Sequence, residues 1–401
     1  MTPQPPRISY FARTNFRNQH TPFGIKQADR LAHLYVIGKT GTGKTTLLET
    51  LMRQDIASGQ GFALLDPHGD LVEKLAASIP EERRNDVIYF NAPDPNQPFG
   101  YNPLKHVMPE KRPLAASGIL EVFKKMWSDA WGARMEHILR NALLALLDQP
   151  HATLIDISRL LQDDPFRIKV AREASNPQVR EFWLKEYAHY SYRLRAEAIV
   201  PILNKVGAFL ADPTLLRILT EPEKTISIRE IMDKGKILLV NLSKGKLGED
   251  SSSLLGGLLI TTIGLAAFSR ADLPEQNRRD FYLYADEFQN FTTLSLVNMA
   301  SELRKYRVGM VLAHQYLHQL ELDIKHAVLG NVGTVISFRI GPEDASFMEK
   351  EFYPKFSQED LLNLPNHDIF LKLMIDGAPS RPFSATALHP KELKLHNGSG
   401  A

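Results

Sequence analysis

The stretch HLYVIGKTGTGKTTLLETL, residues 33–51, joins a short apolar run to a helical pattern through a glycine-rich turn. The turn matches G-x-x-x-x-G-K-[ST], and it lies where that motif acts, after a predicted strand and at the start of a predicted helix. Its glycines allow backbone N–H groups to converge on phosphate oxygens, and the helix N-terminus adds partial positive charge. The stretch therefore predicts a binding site for a nucleoside triphosphate.

Nine residues of this turn make up the predicted phosphate cradle. Lys44 reaches the β- and γ-phosphates in such a turn, and the Thr45 hydroxyl binds Mg²⁺. The cradle comprises Gly38, Lys39, Thr40, Gly41, Thr42, Gly43, Lys44, Thr45 and Thr46. The alternative, a glycine-rich turn that binds nothing, is disfavoured because a strand pattern precedes the turn and a helical pattern follows it. We therefore expect a nucleoside triphosphate as the ligand and Mg²⁺ as its metal.

Short apolar runs alternate with helical patterns on both sides of the cradle. Strand patterns lie at residues 33–38, 61–66, 86–91, 236–242, 281–286, 308–314 and 333–340. Alternation of this kind is typical of a mostly parallel sheet with helices on its faces. Strand signals vanish between residues 111 and 215, where helical patterns and breaks follow one another. The sequence predicts an α/β fold, interrupted by an all-helical domain.

Composition changes along the chain give the expected domain boundaries. We expect a basic N-terminal arm at residues 1–30, a core formed by residues 31–110 and 216–388, an all-helical insertion at residues 111–215, and a tail at residues 389–401. Two apolar segments at residues 368–376 and 381–388 are interpreted as edge strands joined by a turn.

Acidic and amide side chains follow two of the predicted strands. The stretch DFYLYADEFQN, residues 280–290, puts Asp286 and Glu287 directly after an apolar run. Beside a phosphate cradle, Asp286 is predicted to hold Mg²⁺ and Glu287 to activate the attacking water. A salt-bridged pair that caps the next helix is the alternative for these acids. Gln315 ends the run VLAHQ and is expected to contact the γ-phosphate or the water, unless it only ends a strand at the surface.

The totals exclude several kinds of protein. The chain has 401 residues and a formal net charge of only +2, so any surface for nucleic acid must be local. It has no cysteine, which excludes disulfides, thiolate zinc sites and cysteine nucleophiles. Because no run of 18 apolar residues occurs, we expect no transmembrane segment. The longest apolar run, at residues 254–268, is interpreted as a buried helix. The absence of cysteine fits a reducing cytoplasm, so we expect a cytoplasmic protein.

Seven motifs occur in an order that is found in one superfamily. They are YVIGKTGTGKTTLL, LLDPHGDL, YNPL, LVNLSKGKLGED, YADEF, ELRKYRVG and LAHQ. Over residues 30–385 the chain resembles the HerA–FtsK superfamily. It is most similar to the soluble motor part of TraG/TraD-type coupling proteins of conjugation and type IV secretion, and to HerA. The resemblance implies a RecA-like core, a hexameric ring with ATP between its subunits, and DNA pumped through the central pore.

The resemblance also implies roles for individual residues. Lys44 and Thr45 match the phosphate-binding turn, and Asp286 and Glu287 match the metal-binding and water-activating acids. Gln315 matches the γ-phosphate sensor.

Three arginines are implied less directly. Arg304 is matched to an arginine finger that completes the site of a neighbouring subunit, and Arg307 is its alternate because the register within RKYR is open. Basic residues at a helix C-terminus are also expected from the helix dipole alone. Arg339 either faces an interface or forms a charge pair at the end of a strand.

Lys244 and Lys246 are the predicted DNA contacts. They lie in SKGKLGED, residues 243–250, which is interpreted as a polar loop after a strand. Repeated around a ring, two lysines per subunit would line a pore with positive charge. A solvated loop, or one that contacts nucleotide across the subunit interface, is an equal alternative. A relaxase, a nuclease or a secretion-system protein is the expected partner, and such a partner would supply any attachment to the membrane.

Three functions agree with these observations. The first is an ATP-driven DNA translocase, which the acids, the sensor glutamine and the arginines favour. The second is an ATPase motor that acts on protein substrates, which the low net charge favours. The third is a scaffold whose assembly is gated by nucleotide, which would need no water-activating glutamate.

Overall fold

The computed structural model describes residues 7–17, 19–220 and 225–395. The chain forms two compact units. The sheet unit consists of Met1–Tyr89, Glu230–Asn241 and Arg270–Ala401, and the helical unit consists of Phe90–Arg229 and Leu242–Ser269. The phosphate cradle and the predicted acids both lie in the sheet unit.

The elements of both units have the following bounds. The strands are β1 (Ile8–Thr14), β2 (Pro22–Lys26), β3 (Leu34–Ile37), β4 (Gly61–Asp66), β5 (Val87–Asn91), β6 (Ile237–Asn241), β7 (Phe281–Ala285), β8 (Val308–His314), β9 (Thr334–Ser337), β10 (Asp368–Lys372), β11 (Met374–Ile375), β12 (Ala378–Pro379) and β13 (Phe383–Ala387). The helices are α1 (Gln27–Arg30), α2 (Lys44–Ala57), α3 (Asp70–Ala76), α4 (Arg112–Met126), α5 (Ala133–Leu147), α6 (Asp156–Gln162), α7 (Asp164–Glu173), α8 (Pro177–Glu181), α9 (Tyr192–Leu210), α10 (Pro213–Thr220), α11 (Ile228–Lys234), α12 (Lys244–Leu247), α13 (Glu249–Ser269), α14 (Leu294–Leu303), α15 (Leu322–Asn331), α16 (Pro342–Phe352) and α17 (Gln358–Leu362).

One large sheet organises the sheet unit. In the described part of the chain it has 11 strands, in the order β2-β1-β13-β10-β9-β3-β8-β7-β4-β6-β5. Strands β9, β3, β8, β7, β4 and β6 run parallel to their neighbours in this series. Strands β10, β13, β1 and β2 pair antiparallel. The predicted α/β fold with a mostly parallel sheet is confirmed.

The parallel strands are buried on both faces. Strands Leu34–Ile37, Phe281–Ala285 and Val308–His314 are buried along their whole length. Helix α2 covers the sheet, and its Leu47 and Leu51 belong to the same apolar core. Strands covered on both faces appear in a sequence as nearly continuous apolar runs. This is why the runs in the sequence located most of these strands to within about a residue, although the run at residues 333–340 extends three residues beyond β9.

The N-terminal segment differs from the basic arm predicted for residues 1–30. Strand β1 pairs with both β13 and β2, and its Phe11 is fully buried. Gln54 of α2 fixes β1, because its Oε1 accepts the Tyr10 N–H at 2.8 Å and its Nε2 donates to the Tyr10 carbonyl at 2.7 Å. For residues 7–17 and 19–30 the arm prediction was wrong, because proline and basic residues mask a short strand; residues 1–6 and 18 lie outside the described residues. Strands β10 and β13 are consequently interior strands, and not the edge strands that were predicted.

The helical unit is larger than the predicted insertion of residues 111–215. It also includes α12 and α13, which the sequence had placed in the core. Helix α13 packs closely on α4, since a Cβ added at Gly118 would lie 2.5 Å from Thr261 Cγ2. Of the predicted tail, residues 389–395 are described and end in a 3₁₀ turn at Glu392–Leu395, whereas residues 396–401 lie outside the described residues.

One straight helix among the described residues has the length and composition of a membrane span. It covers Glu249–Asp272, and 83% of its most apolar window is buried inside the protein. A second candidate arises only if Arg193–Leu210 and Pro213–Thr220, which are bent by 94°, are counted together. The sequence predicted a buried helix at residues 254–268, and apart from Thr262 these residues are buried.

Candidate active site

Four parallel strands end at one edge of the sheet beside the phosphate cradle. Strands β3 and β8 are neighbours, as are β8 and β7, and β7 and β4. Within two residues, their carboxyl ends lead to Gly38, Gln315, Asp286 and His68. In parallel sheets, ligands bind beyond the carboxyl ends of the strands. The topology thus brings together residues that are far apart in the sequence.

The cradle has the backbone shape that phosphate binding requires. Gly41 and Gly43 have φ angles of 76° and 123°, which residues with a Cβ rarely adopt. A Cβ at Gly43 would also lie 2.9 Å from Nδ1 of His367. Helix α2 begins at Lys44, so its first N–H groups are available to an anion. Lys44 Nζ donates to the carbonyl oxygen of Gly38 at 2.5 Å.

Asp286 and Glu287 are buried side by side directly after β7, with 5% and 6% of their surfaces exposed. The pKa of Asp286 is raised to about 6, mainly by burial and then by the charges of Glu287 and Asp66, while Lys44 opposes the rise. Burial also lowers the pKa of Lys44, against the attraction of both acids. Among the described residues no side chain forms an ion pair with either acid. Because buried charge without a partner is costly, this site is suited to a cation.

The Glu287 carboxylate receives two amide hydrogen bonds. Gln315 Nε2 donates to Oε1 at 2.7 Å, and Gln289 Nε2 donates to Oε2 at 2.8 Å. Gln315 Oε1 in turn accepts the hydroxyl proton of Thr40 at 2.8 Å. Gln315 therefore touches both the cradle and the acid that is predicted to activate water.

Two polar groups next to the site have structural partners. Asp66 is buried and accepts the N–H of His68 at 2.9 Å, together with N–H groups at the start of α3. Its carboxylate thus caps a helix, although its charge acts on Asp286. Burial lowers the pKa of His314 to about 3, so this imidazole is neutral at physiological pH, and its ring packs against Phe288.

The groups that are predicted to bind and react line one cleft of about 230 Å³. The described residues that line it are Thr40, Gly41, Gly43, Lys44, Thr45, Thr46, His68, Asp286, Glu287, Gln315 and His367. The remaining predicted cradle residues shape the turn from behind. The Thr42 hydroxyl donates to the Lys39 carbonyl at 2.7 Å, and Gly38 N–H donates to the His314 carbonyl at 3.4 Å.

A loop after α17 supports the cradle from the other side. His367 has a φ of 70°, and its N–H donates to the Thr42 carbonyl at 2.9 Å. Arg339 Nη2 donates to Asn366 Oδ1 in this loop at 2.8 Å, and the Arg339 carbonyl accepts the Lys39 N–H at 2.8 Å. A non-glycine residue in the left-handed region is characteristic of sites where the surroundings fix the backbone. Arg339 therefore connects this loop to the cradle within one chain.

Sequence reasoning missed three residues of the site: His68, His367 and Gln289. A signal for His68 was present, because LLDPHGDL follows a predicted strand next to the acids. Gln289 lies within the quoted DFYLYADEFQN but was not considered. His367 had no local signal, since only the fold of a distant segment brings it to the cleft.

The oxygen ligands in the cleft fit Mg²⁺. Asp286 offers a buried carboxylate, and Thr45 offers an exposed hydroxyl in the first turn of α2. Mg²⁺ prefers oxygen ligands, and proteins hold it through one or two groups together with substrate phosphates. The two residues predicted as metal ligands are therefore in one cleft with the cradle.

Arg304 and Arg307 do not line the cleft of their own chain. Helix α14 ends at Leu303, and a 3₁₀ turn, Arg304–Tyr306, follows it. The Arg304 side chain is exposed, whereas Arg307 Nε lies 2.7 Å from Asp280 Oδ1. Only the second of these arginines thus has an acidic partner in its own chain among the described residues.

Lys244 and Lys246 lie in the helical unit, on the short helix α12 instead of the predicted loop. The Ser243 carbonyl accepts the Lys246 N–H at 3.0 Å, which closes the turn. Lys244 Nζ donates to Glu249 Oε1 at 3.1 Å, and Lys246 is exposed.

A comparison with protein families now identifies the chain's relatives. The sequence model of one protein family, the type IV secretion-system coupling protein DNA-binding domain, matches residues 21–352. The chain belongs to this family. The resemblance to coupling proteins of the HerA–FtsK superfamily is thereby confirmed. No curated protein matches the sequence.

Several solved structures share the fold of this member of the coupling-protein family. The plasmid coupling protein TrwB in complex with the ATP analogue ADPNP is 18% identical over 97% of this chain and 96% of that chain, with a TM-score of 0.65. TrwB in complex with ADP and Mg²⁺ is 17% identical over 91% and 87%, with a TM-score of 0.63. VirB4 of Thermoanaerobacter pseudethanolicus is 13% identical over 98% and 99%, with a TM-score of 0.66. At these identities the neighbours establish the fold, and the RecA-like fold class is confirmed.

Proposed function

We propose that the chain is an ATP-driven DNA translocase, the motor of a coupling protein that moves DNA through a hexameric ring. The observation that carries this proposal is the cleft in which Lys44, Asp286, Glu287 and Gln315 meet, with Glu287 and Gln315 only 2.7 Å apart. Membership in a family of DNA-binding coupling proteins supports DNA as the substrate that is moved. The TrwB complexes with ADPNP and with ADP and Mg²⁺ support ATP and Mg²⁺.

Binding follows from the cradle. N–H groups at the start of α2 donate to the phosphates, and Lys44 neutralises the β- and γ-phosphates. When bound, Mg²⁺ neutralises charge on the β- and γ-phosphate oxygens, and Thr45 and Asp286 are the residues that would hold it. The buried acids of the cleft therefore complement the positive charge that accompanies the nucleotide.

Hydrolysis is assigned to the amide-bound acid. Glu287 accepts a proton from water as the water oxygen attacks the γ-phosphorus, and the bond from that phosphorus to the bridging oxygen breaks. ADP and phosphate leave. Gln315 aligns the acid with the cradle through Thr40 and is the proposed sensor of the γ-phosphate.

Arg304 is the proposed finger that completes the site of a neighbouring subunit. It is exposed and lies outside its own cleft, whereas Arg307 is paired with Asp280. Removal of such a finger costs about 10³-fold in kcat or more. Mixing inactive Arg304→Ala chains with inactive Lys44→Ala chains should restore hydrolysis, because some mixed interfaces combine an intact cradle with an intact arginine. If the mixture is as inactive as its two components, no finger acts between subunits. A second test is the dependence of activity on protein concentration: activity per chain that stays constant in a monomer also contradicts such a finger.

Lys244 and Lys246 are the proposed phosphate contacts of the DNA. Binding through phosphates releases counterions and depends steeply on salt. Each Lys→Ala variant should weaken DNA binding and lower the slope of log affinity against log salt concentration by about one. Lys355→Ala, at another exposed lysine, is the matched control. An unchanged slope in both variants would remove these lysines from the DNA path.

The proposal is tested by steady-state ATP hydrolysis with and without single- and double-stranded DNA, with Lys44→Ala as the blank. Strong stimulation by one strand form supports the DNA motor and selects the form. Robust hydrolysis that is indifferent to DNA favours a motor for protein substrates. No hydrolysis above the blank in an assembled sample favours a nucleotide-gated scaffold.

Recruitment is proposed to depend on other proteins. A relaxase, a nuclease or a component of the secretion system would bring DNA to the motor, and such a partner would supply any attachment of this otherwise cytoplasmic motor to the membrane. This arrangement is tested in two ways. The full chain should co-purify with such a partner, and the chain should be lost from membrane fractions when that partner is absent.

A further inference from the structure

Gln289 contacts the acid that is proposed to activate water. Its Nε2 donates to Glu287 Oε2 at 2.8 Å, while Gln315 Nε2 donates to the other carboxylate oxygen at 2.7 Å. A carboxylate has about four lone-pair sites, so one donor on each oxygen leaves each oxygen able to accept a water proton. The two amides therefore fix the direction of the carboxylate without consuming its capacity as a base.

The backbone after β7 turns back sharply and brings Gln289 to this position. Glu287 has a φ of 47°, and its N–H donates to Asp286 Oδ1 at 3.0 Å. The Glu287 carbonyl accepts Asn290 Nδ2 at 2.7 Å, and a 3₁₀ turn, Phe288–Asn290, follows. A strained, multiply bonded turn of this kind is a feature of functional sites.

The two amides differ in what else they touch. Gln315 follows β8 and accepts the Thr40 hydroxyl of the cradle, so its position is tied to the phosphates. Gln289 belongs to the same turn as Glu287. Its hold on Oε2 therefore persists when Gln315 turns toward a γ-phosphate.

We propose that Gln289 is a positioning residue, which holds the Glu287 carboxylate in the direction of the attacking water throughout the ATPase cycle. The inference rests on the proposed function of the cleft. Without the amide, the carboxylate loses a fixed donor and gains rotamers that point away from the water. The effect should appear in the chemical step and not in nucleotide binding.

The first test is Gln289→Ala in the full chain, measured as kcat and KM of ATP hydrolysis with saturating DNA, together with the Kd for fluorescent ADP. We expect kcat to fall about tenfold to a hundredfold, the factor that a hydrogen bond to a charged group commands. The Kd for ADP should stay within about twofold, because Gln289 touches the base and not the phosphate cradle. Gln319→Ala, at an exposed glutamine in the 3₁₀ turn after β8, is the matched control and should keep the wild-type kcat.

The second test is Gln289→Glu, whose expected pH dependence would not arise if Gln289 were merely structural. The introduced carboxyl group repels Glu287 when ionised but donates a hydrogen bond when protonated. The kcat of this variant relative to wild type should therefore rise as the pH falls. A pH-independent ratio overturns the inference, as does a loss of ADP affinity in Gln289→Ala that matches the loss of kcat.

The outcomes separate this inference from the function on which it rests. Hydrolysis that Glu287→Gln leaves unchanged overturns the proposed function and the role of Gln289 with it. Hydrolysis that depends on Glu287 but is unaffected by Gln289→Ala overturns the role of Gln289 alone.

Discussion

Two buried carboxylates of the sheet unit have opposite surroundings. Asp55 of α2 is 1% exposed, and Arg30 donates to its two oxygens at 2.6 and 2.9 Å. The hydroxyl of Tyr284 on β7 also donates to Asp55 at 2.5 Å. Asp286, which lies two residues after Tyr284 in the chain, is 5% exposed, and its Oδ1 accepts the N–H of Glu287. Among the described residues it has no ion-pair partner.

The difference separates a charge that holds the fold from a charge that is proposed to serve a ligand. Asp55 is neutralised inside the chain and links α2, which opens at the cradle, to β7, which leads into the acids. Asp286 carries a charge that Lys44 offsets only in part, and burial together with the charges of Glu287 and Asp66 raises its pKa. Perturbed acids of this kind cluster at functional sites. We therefore assign stability to Asp55 and propose chemistry for Asp286 and Glu287.

The largest effect is expected on kcat when the acid that is proposed to activate water is replaced. Glu287→Gln keeps the shape of the side chain but removes the proton acceptor, so kcat should fall on the order of 10³-fold while nucleotide affinity is retained. Steady-state hydrolysis and binding of fluorescent ADP measure the two quantities. Glu321→Gln, at an exposed glutamate, serves as the control. Hydrolysis by Glu287→Gln at the wild-type rate would transfer the role of base to another group.

Replacing Asp55 should lower the free energy of unfolding. Asp55→Asn leaves the fully buried Arg30 guanidinium without its counter-charge, which costs about 3–5 kcal/mol of unfolding free energy. Chemical denaturation measures this loss. Replacing both partners, as in Arg30→Met with Asp55→Leu, should recover much of it, because an apolar pair removes the buried charge altogether.

The matched control is Glu181→Gln in an exposed pair with Lys185, which should leave the unfolding transition in place. An Asp55→Asn variant as stable as wild type would show that the buried pair is not what holds these elements, and the comparison would fail on its structural side.

The sequence predicted the parts of this picture that local patterns encode. Continuous apolar runs marked the parallel strands, and the glycine-rich turn and the acids after β7 marked the cleft, because each signal lies within a few residues. The pairing of Arg30 with Asp55 could not be predicted, since nothing local shows that an arginine in a supposed basic arm is buried. The supports of the cradle at His367 and Arg339 were hidden for the same reason.

Boundaries were harder to predict than chemistry. Residues 1–30 were assigned by composition, but Ile8–Thr14 form strand β1, whose first residues alternate between exposed and buried. Helix α13 was assigned to the core because it follows a strand, whereas its packing on α4 places it in the helical unit. Lys244 and Lys246 were assigned to a loop because the segment is polar, although four residues of it form a helical turn.

Unfolding of the Asp286→Asn variant shows whether the buried charge of Asp286 costs the fold stability. The pKa of this carboxyl rises from 3.8 to about 6 on folding, so folding disfavours its charged form. The penalty is absent well below pH 3.8, grows as the pH rises from 3.8 to about 6, and is fully present well above pH 6. We therefore predict that the variant, without nucleotide, is more stable than wild type by about 3 kcal/mol at pH 8 and equally stable at about pH 2.5. Mg²⁺ with ADP should stabilise wild type more than the variant, and a variant that is less stable than wild type at pH 8 would contradict the claim that this buried charge is kept for a cation.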